Sequence, residues 1–167
     1  MLLRPNVAPV GGALAIRAGL DTVAALEVLA PALGPRLKWP NDIMVADRKA
    51  GGILCEARWS GDVLAWVAVG IGINVKGPLA PGLEAAAIAL EDVAPGLSRL
   101  AILDALIPRL GALERTGGEL SARERARFLG LSWRAPGAAE EVADLTPDGA
   151  LVVRRADGSL DRRTDAV

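Results

Sequence analysis

The segment Lys38-Trp39-Pro40-Asn41-Asp42-Ile43 combines a cation, an aromatic ring and two turn-forming polar side chains around a proline. Asn and Asp side chains commonly satisfy backbone donors in tight turns, so a structural turn explains this segment when it is taken alone. Lys49 follows, with Gly51 and Gly52 just after it. Two glycines let a ligand approach the backbone while the lysine ammonium meets an anion at the same place. This spacing predicts a site for an anionic ligand.

A third element is the run Val69-Gly70-Ile71-Gly72-Ile73-Asn74-Val75. Its G-x-G-x-N spacing is not the dinucleotide-binding fingerprint, because the third glycine and a following helix are missing. The glycines could accommodate a crossing strand or a bulge. Alternatively, the missing side chains leave room for a flat ligand beside the Asn74 amide, which offers both donors and an acceptor.

These residues need a sheet and helices to position them. A buried helix is predicted from Gly12 to Leu33, where apolar residues recur at helical spacing. Turn residues separate the apolar runs after it, which predicts strands of a mixed or antiparallel sheet at 36–39, 43–46, 52–57 and 63–75.

The second half of the chain contains more helix and then strands. Proline-rich residues 77–96 predict a loop with at most a short helix near 83–90. Ser98 and Ser121 are predicted N-caps, the latter forming a capping box with Glu124. Strand-like runs follow Glu140, with turns at Asp148-Gly149 and Asp157-Gly158.

Composition excludes several functional classes. With no histidine and one cysteine, the chain cannot carry a Ser-His-Asp or Cys-His catalytic group or an intramolecular disulfide. The net charge of -1 creates no general field for nucleic acid or an anionic membrane. No secretory signal or membrane-spanning run is recognisable, so a cytoplasmic location is expected.

In this order and spacing, the three elements resemble the biotin protein ligase family, whose catalytic domain carries K-W-P-N-D, R-K-x-x-G-I-L and G-x-G-x-N. The resemblance implies an α/β (α+β) fold with a mixed central sheet flanked by helices and a short C-terminal β segment like an incomplete SH3-like barrel. We expect a partial catalytic domain at 1–130 and a short β domain at 131–167. Lipoate ligation is disfavoured because the first two motifs fit the biotin branch better.

The resemblance also implies a reaction and its participants. Biotin would be activated by ATP with Mg²⁺ to biotinyl-AMP and transferred to a lysine of the biotin carboxyl carrier domain of a carboxylase. Lys49 and Asp42 carry over as the catalytic residues, and no metal-ligating residue is assigned. The remaining positions that match family residues near biotin or the adenylate are Gly51, Gly52, Gly70, Gly72, Asn74, Trp39 and Asn41.

The chain departs from the family at its start, because its first residues correspond to positions after the Gly- and Arg-rich adenylate loop. We therefore expect an N-terminally truncated member in which these 167 residues form biotinyl-AMP poorly or not at all. Two alternatives are a non-catalytic biotin- or adenylate-binding remnant and a structural or dimerising domain. The resemblance also allows a homodimer.

Overall fold

The computed structural model describes residues 1–83 and 85–164, which form an α+β fold with two antiparallel sheets. The larger sheet has five strands in the order β1-β5-β4-β3-β2. Its strands are β1 (Leu2–Leu3), β2 (Arg36–Lys38), β3 (Asp42–Val45), β4 (Arg48–Ser60) and β5 (Val63–Ile73). Isolated parallel bridges, such as Leu37 with Ser132, attach loop residues to it. The predicted fold class is confirmed, and the paired strands are antiparallel.

The β3–β4 connection is a tight hairpin of two residues, Ala46 and Asp47. Both have left-handed backbone angles, with φ of 47° and 59°. Such turns match the right-handed twist of the flanking strands, which explains why two non-glycine residues accept this conformation here. The turn starts β4 at Arg48, earlier than the predicted strand at 52–57, so Lys49 is a strand residue.

Helix α1 (Ala13–Leu29) packs across one face of the large sheet. Gly19 lies against Leu37 and Ile53, and an added Cβ there would be 3.2 Å from a Leu37 methyl. The predicted helix to Leu33 is too long by four residues, because the backbone leaves the helix at Ala30 and forms a 3-10 turn at Pro31–Leu33. Proline lacks the amide hydrogen that would continue an α-helix.

The two later helices begin where the capping residues predict. The Ser98 hydroxyl accepts a hydrogen bond from the Ala101 amide at the start of α2 (Arg99–Ala112). Ser121 and Glu124 form the complete capping box of α3 (Ala122–Leu131). The sequence predicts the stretch 77–96 as a loop with at most a short helix near 83–90, and its described residues form loop and turns with a 3-10 turn at Leu90–Asp92.

The smaller sheet consists of β6 (Glu141–Leu145), β7 (Leu151–Arg154) and β8 (Leu160–Arg163), with the predicted turns between them. Residues 136–139 contain a turn, closed by a hydrogen bond from the Ala138 amide to the Ala135 carbonyl. Leu145, Leu151 and Val153 are buried in the same core as α1 and the large sheet. The predicted boundary at residue 130 remains a prediction.

Candidate ligand-binding face

The large sheet has one covered face and one open face. Ile53, Val67 and Val69 point into the core and are each 2% exposed. Side chains directly opposite each other in paired strands share a face. The register pairs Gly52 with Gly72 and Leu54 with Gly70, and Leu54 is 60% exposed. We call the surface formed by Gly52, Leu54, Gly70 and Gly72 the glycine face.

The strand register aligns the first motif with this face. Lys38 pairs with Asp42, Asp42 with Gly52, and Gly52 with Gly72. These four residues form one row across four strands. The K-W-P-N-D segment and the glycines of the other two motifs are therefore neighbours in space, although their sequence separations run to more than thirty residues.

Lys49 reaches the same face through a β-bulge. A register shift between Ile43 and Met44 leaves Ala50 without an opposite partner, so that Lys49 pairs with Met44. Side chains of a regular strand alternate between faces, which would direct Lys49 away from Gly52. The extra residue reverses that alternation. As a result, a Cβ built on Gly52 would lie 3.5 Å from the Lys49 Nζ.

Asp42 lies between two lysine ammonium groups. Its Oδ1 is 2.5 Å from Lys49 Nζ and its Oδ2 is 3.8 Å from Lys38 Nζ. The Asp42 side chain is 18% exposed, whereas both lysines are about half exposed. Lys38 also lies over the Trp133 ring, 5.7 Å from its centroid. This arrangement leaves positive charge at the rim of the glycine face, where an anion can approach.

An open cleft of about 460 Å³ lies over the glycine face. Its lining contains six predicted site residues that share these strands and their loop: Asn41, Asp42, Lys49, Gly52, Gly70 and Gly72. Ile53, Leu54 and Ile71 also line it, although their sequence pattern is that of ordinary strand residues. Only the strand register distinguishes the exposed Leu54 from the buried Ile53.

The glycines differ in what surrounds them. A Cβ at Gly72 would meet no described atom within 4 Å, and at Gly70 its nearest neighbour would be the Leu54 carbonyl oxygen at 3.7 Å. A Cβ at Gly51 would be 2.5 Å from the Gly72 carbonyl oxygen. Close packing within the sheet therefore requires glycine at position 51, whereas Gly70 and Gly72 face open space.

Three of the predicted site residues, Asn41, Trp39 and Asn74, donate side-chain hydrogen bonds within the fold. The Asn41 side chain donates a hydrogen bond to the Ile53 carbonyl oxygen at 2.8 Å, and the residue lines the cleft. The Trp39 indole donates to the Gly149 carbonyl oxygen at 2.9 Å and does not line the cleft. Asn74 lies beyond the end of β5 and donates a long hydrogen bond of 3.4 Å to the Lys49 carbonyl oxygen. Their ligand roles remain predictions.

A second cavity, of about 530 Å³, lies on the covered side of the sheet beside the start of α1. Its lining includes Leu14, Cys55, Trp59 and Leu64. Burial raises the pKa of the Cys55 thiol to about 11. A thiol with that pKa is a poor nucleophile at neutral pH, so Cys55 serves as a packing residue.

Among the described residues that line the cleft, Asp42 is the carboxylate that could contact a metal ion. Within residues 1–83 and 85–164, no three or more His, Cys, Asp or Glu side chains are grouped to hold a metal ion. Asp42 is the carboxylate in the cleft lining, and each of its oxygens faces a lysine ammonium. A nearby cation would be repelled by these ammonium groups.

Among the described residues, none of the helices has both the length and the apolar composition that a membrane-spanning helix needs.

Comparison with known protein families gives a match that includes all three motifs. A sequence model of the Biotin/lipoate A/B protein ligase family matches residues 22–74. A biotin--[acetyl-CoA-carboxylase] ligase of Paracoccus denitrificans is 46% identical over 84 residues, which cover 46% of this chain and 33% of the relative. The enzyme of the same name from Mycobacterium tuberculosis is 34% identical over 130 residues, 74% of this chain and 47% of the relative. The chain thus spans half or less of these relatives.

Solved structures show the same fold. A mutant biotin protein ligase from Aquifex aeolicus in complex with biotin superimposes with a TM-score of 0.77. The alignment covers 99% of this chain and 73% of that one, at 20% identity. The Aquifex aeolicus ligase in complex with biotin and ATP gives a TM-score of 0.69 at 21% identity, covering 91% of this chain and 68% of that one.

Proposed function

Because the chain belongs to the biotin/lipoate A/B protein ligase family, within its biotin protein ligase branch, we propose that its glycine face binds biotin and the adenylate formed from it. The observation that carries this proposal is the open row of Asp42, Gly52 and Gly72, with the Lys49 ammonium beside it. Flat ligands need such backbone access, and carboxylates and phosphates need such a cation.

The proposed reaction has two steps. A biotin carboxylate oxygen attacks the α-phosphorus of ATP, and the bond to pyrophosphate breaks as the new bond forms. The amine of an acceptor lysine on a carboxylase carrier domain then attacks the acyl carbon, which releases AMP and a proton. Each step builds negative charge on oxygen, and a preorganised cation lowers the energy of such a transition state.

Lys49 is the residue to which we assign this charge stabilisation. Its ammonium is half exposed at the cleft and is oriented by Asp42. Asp42 keeps the lysine aimed at the glycine face, and its own negative charge offsets the repulsion between the two lysines. No step of this scheme uses a protein-bound Mg²⁺; we propose that the ion enters with the ATP phosphates, as is usual for magnesium.

The test is binding of a hydrolysis-resistant biotinyl-adenylate analogue, measured by isothermal calorimetry. Lys49→Ala should weaken binding by roughly 10- to 100-fold, because a hydrogen bond to a charged group contributes about 1.5–3 kcal/mol. Lys38→Ala is the matched control, since Lys38 contacts the same carboxylate from outside the cleft lining. Equal losses in the two variants, or no binding by the parent, would contradict the proposal.

Pyrophosphate exchange distinguishes a ligase from a non-catalytic binding protein on the same face. A catalytic chain incorporates label from pyrophosphate into ATP when biotin is present, because formation of the adenylate is reversible. A protein that only binds these ligands does not. That these 167 residues alone activate biotin poorly or not at all remains a prediction. The carrier-domain partner, a homodimer and a cytoplasmic location are likewise proposals that follow from the family.

A further inference from the structure

The loop between β2 and β3 is held from both sides. On one side, the Asn41 side-chain amide donates to the Ile53 backbone carbonyl oxygen at 2.8 Å. The Asn41 backbone carbonyl oxygen accepts from the Ile53 backbone amide, also at 2.8 Å. On the other side, the Trp39 indole donates to the Gly149 carbonyl oxygen at 2.9 Å. Gly149 belongs to the β6–β7 turn of the smaller sheet, 110 residues further along the chain.

The acceptor of the Trp39 hydrogen bond is itself well fixed. The carbonyl oxygen of Asp148, the preceding residue, accepts from the Gly12 amide at 3.0 Å. The Asp148 carboxylate is hydrogen-bonded by Arg162 and by the Thr146 hydroxyl. These contacts tie the turn both to α1 and to its own sheet, so that Gly149 offers a fixed anchor.

We propose that Trp39 is a positioning residue. Its hydrogen bond to the fixed Gly149 carbonyl oxygen restrains the loop that leads to Asp42, and the smaller sheet thereby holds the Asp42–Lys49 pair in its binding geometry. The proposal rests on the proposed function for its consequence in ligand binding, but the contact itself can be tested without ligand. Asp42 follows Trp39 by three residues and pairs with Lys38, the residue just before Trp39. Freedom at Trp39 would therefore let the carboxylate move relative to Lys49.

The experiment measures how fast an amine-acylating reagent modifies each lysine, by peptide mass spectrometry. The sequence has three lysines, and the exposed Lys76 serves as the internal reference. A lysine held by a carboxylate is less available for acylation. Trp39→Phe keeps a ring but removes the donor, and we expect Lys49 to be acylated about three- to tenfold faster, the effect of losing one hydrogen bond.

Trp133→Phe is the matched control. The Trp133 indole also donates a hydrogen bond of 2.9 Å, but to Asp47 at the far end of the β3–β4 hairpin. Phenylalanine preserves a ring under Lys38, so this variant should leave Lys49 acylation unchanged. An equal rise in both variants would mean that general loosening, and not the Trp39 contact, exposes Lys49.

A double-variant cycle separates positioning from general packing. Asp42→Asn alone should speed Lys49 acylation, and adding Trp39→Phe should then have no further effect if Trp39 acts through Asp42. Arg162→Ala removes a surface contact of the β6–β7 turn and should give a smaller rise in Lys49 acylation. It replaces Trp39→Phe in the test if that variant does not fold. No rise in Lys49 acylation in any folded variant of Trp39 or Arg162 overturns the proposal.

Calorimetry with the biotinyl-adenylate analogue links the contact to function. Trp39→Phe should weaken binding to the folded protein by about three- to tenfold, and Trp133→Phe should not. A parent that fails to bind the analogue contradicts the proposed function, while the acylation rates still decide the role of Trp39. Normal binding by Trp39→Phe together with faster acylation would overturn the positioning role.

Discussion

Glycine serves two different purposes within a few residues of this site. At Gly51 a side chain would collide with the Gly72 carbonyl oxygen, so the sheet itself requires glycine there. Gly70 and Gly72 have free space above them, and neither has a backbone angle that demands glycine. A ligand lying on the glycine face explains why these two positions lack side chains.

Alanine substitutions should separate the two purposes. Gly51→Ala should lower the free energy of unfolding by about 1–3 kcal/mol through overpacking. Gly70→Ala and Gly72→Ala should change it by less than about 1 kcal/mol, and should weaken binding of the biotinyl-adenylate analogue instead. Chemical denaturation and calorimetry on the same samples give both quantities. Gly70 and Gly72 variants that bind as tightly as the parent would return these glycines to a structural role.

At the level of elements, α1 and α3 are joined by two ion pairs of different burial. Arg17 is 6% exposed and donates to Glu124 and to the carbonyl oxygens of Gly118 and Glu119. Glu27 and Arg127 form the second pair at the surface, where both side chains are a third to a half exposed. Buried pairs lose more when one partner is removed, because the other charge is left without solvent.

Glu124 should make this contact sensitive to acid. Burial by itself would raise the pKa of Glu124, but hydrogen bonds from Arg17 and Ser121 outweigh it and lower the pKa below its ordinary value of 4.5. The stabilisation is therefore complete above pH 4.5 and is lost as the pH falls through the lowered pKa of the folded state. Burial raises the pKa of Asp21, so this carboxyl has the opposite effect on how stability depends on pH.

The corresponding prediction compares two glutamine variants. Glu124→Gln should lower the free energy of unfolding at pH 7 by about 1.5–3 kcal/mol and flatten its decline below about pH 4.5, since the lost bonds involve charged groups. Glu27→Gln should cost less than about 1 kcal/mol, as exposed pairs do. Urea denaturation between about pH 3 and pH 7 measures both. A steep acid decline that persists in Glu124→Gln would assign the pH dependence to other carboxylates.

At the scale of the whole molecule, the smaller sheet meets α1 where the β6–β7 turn touches Gly12, the residue before that helix. Gly149 has a φ of +87°, and a Cβ there would lie 2.9 Å from the Gly12 carbonyl carbon. Gly158, in the next turn, has a similar φ of +83°, but a Cβ there would meet no described atom within 4 Å. The two glycines thus share a backbone requirement and differ in packing.

Their alanine variants should measure the junction between the smaller sheet and α1. Gly158→Ala should cost about 1–2 kcal/mol from the left-handed backbone alone. Gly149→Ala should cost about 1–3 kcal/mol more, because the added methyl also pushes the turn away from α1. Thermal and chemical unfolding provide the comparison. Equal losses would show that the contact with Gly12 adjusts without cost.

Local chemistry was sufficient to predict much of this protein from its sequence. The Ser98 and Ser121 caps mark helix starts because they satisfy nearby amides, and the Asp-Gly turns bound the last strands. The spacing of the three motifs also indicated the family. The caps and turns depend on residues within a few positions of one another, and each motif is a short run of residues, so both kinds of signal can be recognised in the sequence.

Other features depend on strand pairing, which the sequence does not specify locally. The bulge at Ala50 turns Lys49 onto the face of Asp42 and Gly52, whereas regular alternation would have placed it on the opposite side. The register likewise separates the packing role of Gly51 from the open Gly72. The hydrogen bond between Trp39 and Gly149 spans 110 residues and exists only because the two sheets share a core. Tertiary structure decided these points because a shift of one residue in pairing exchanges the two faces of a strand.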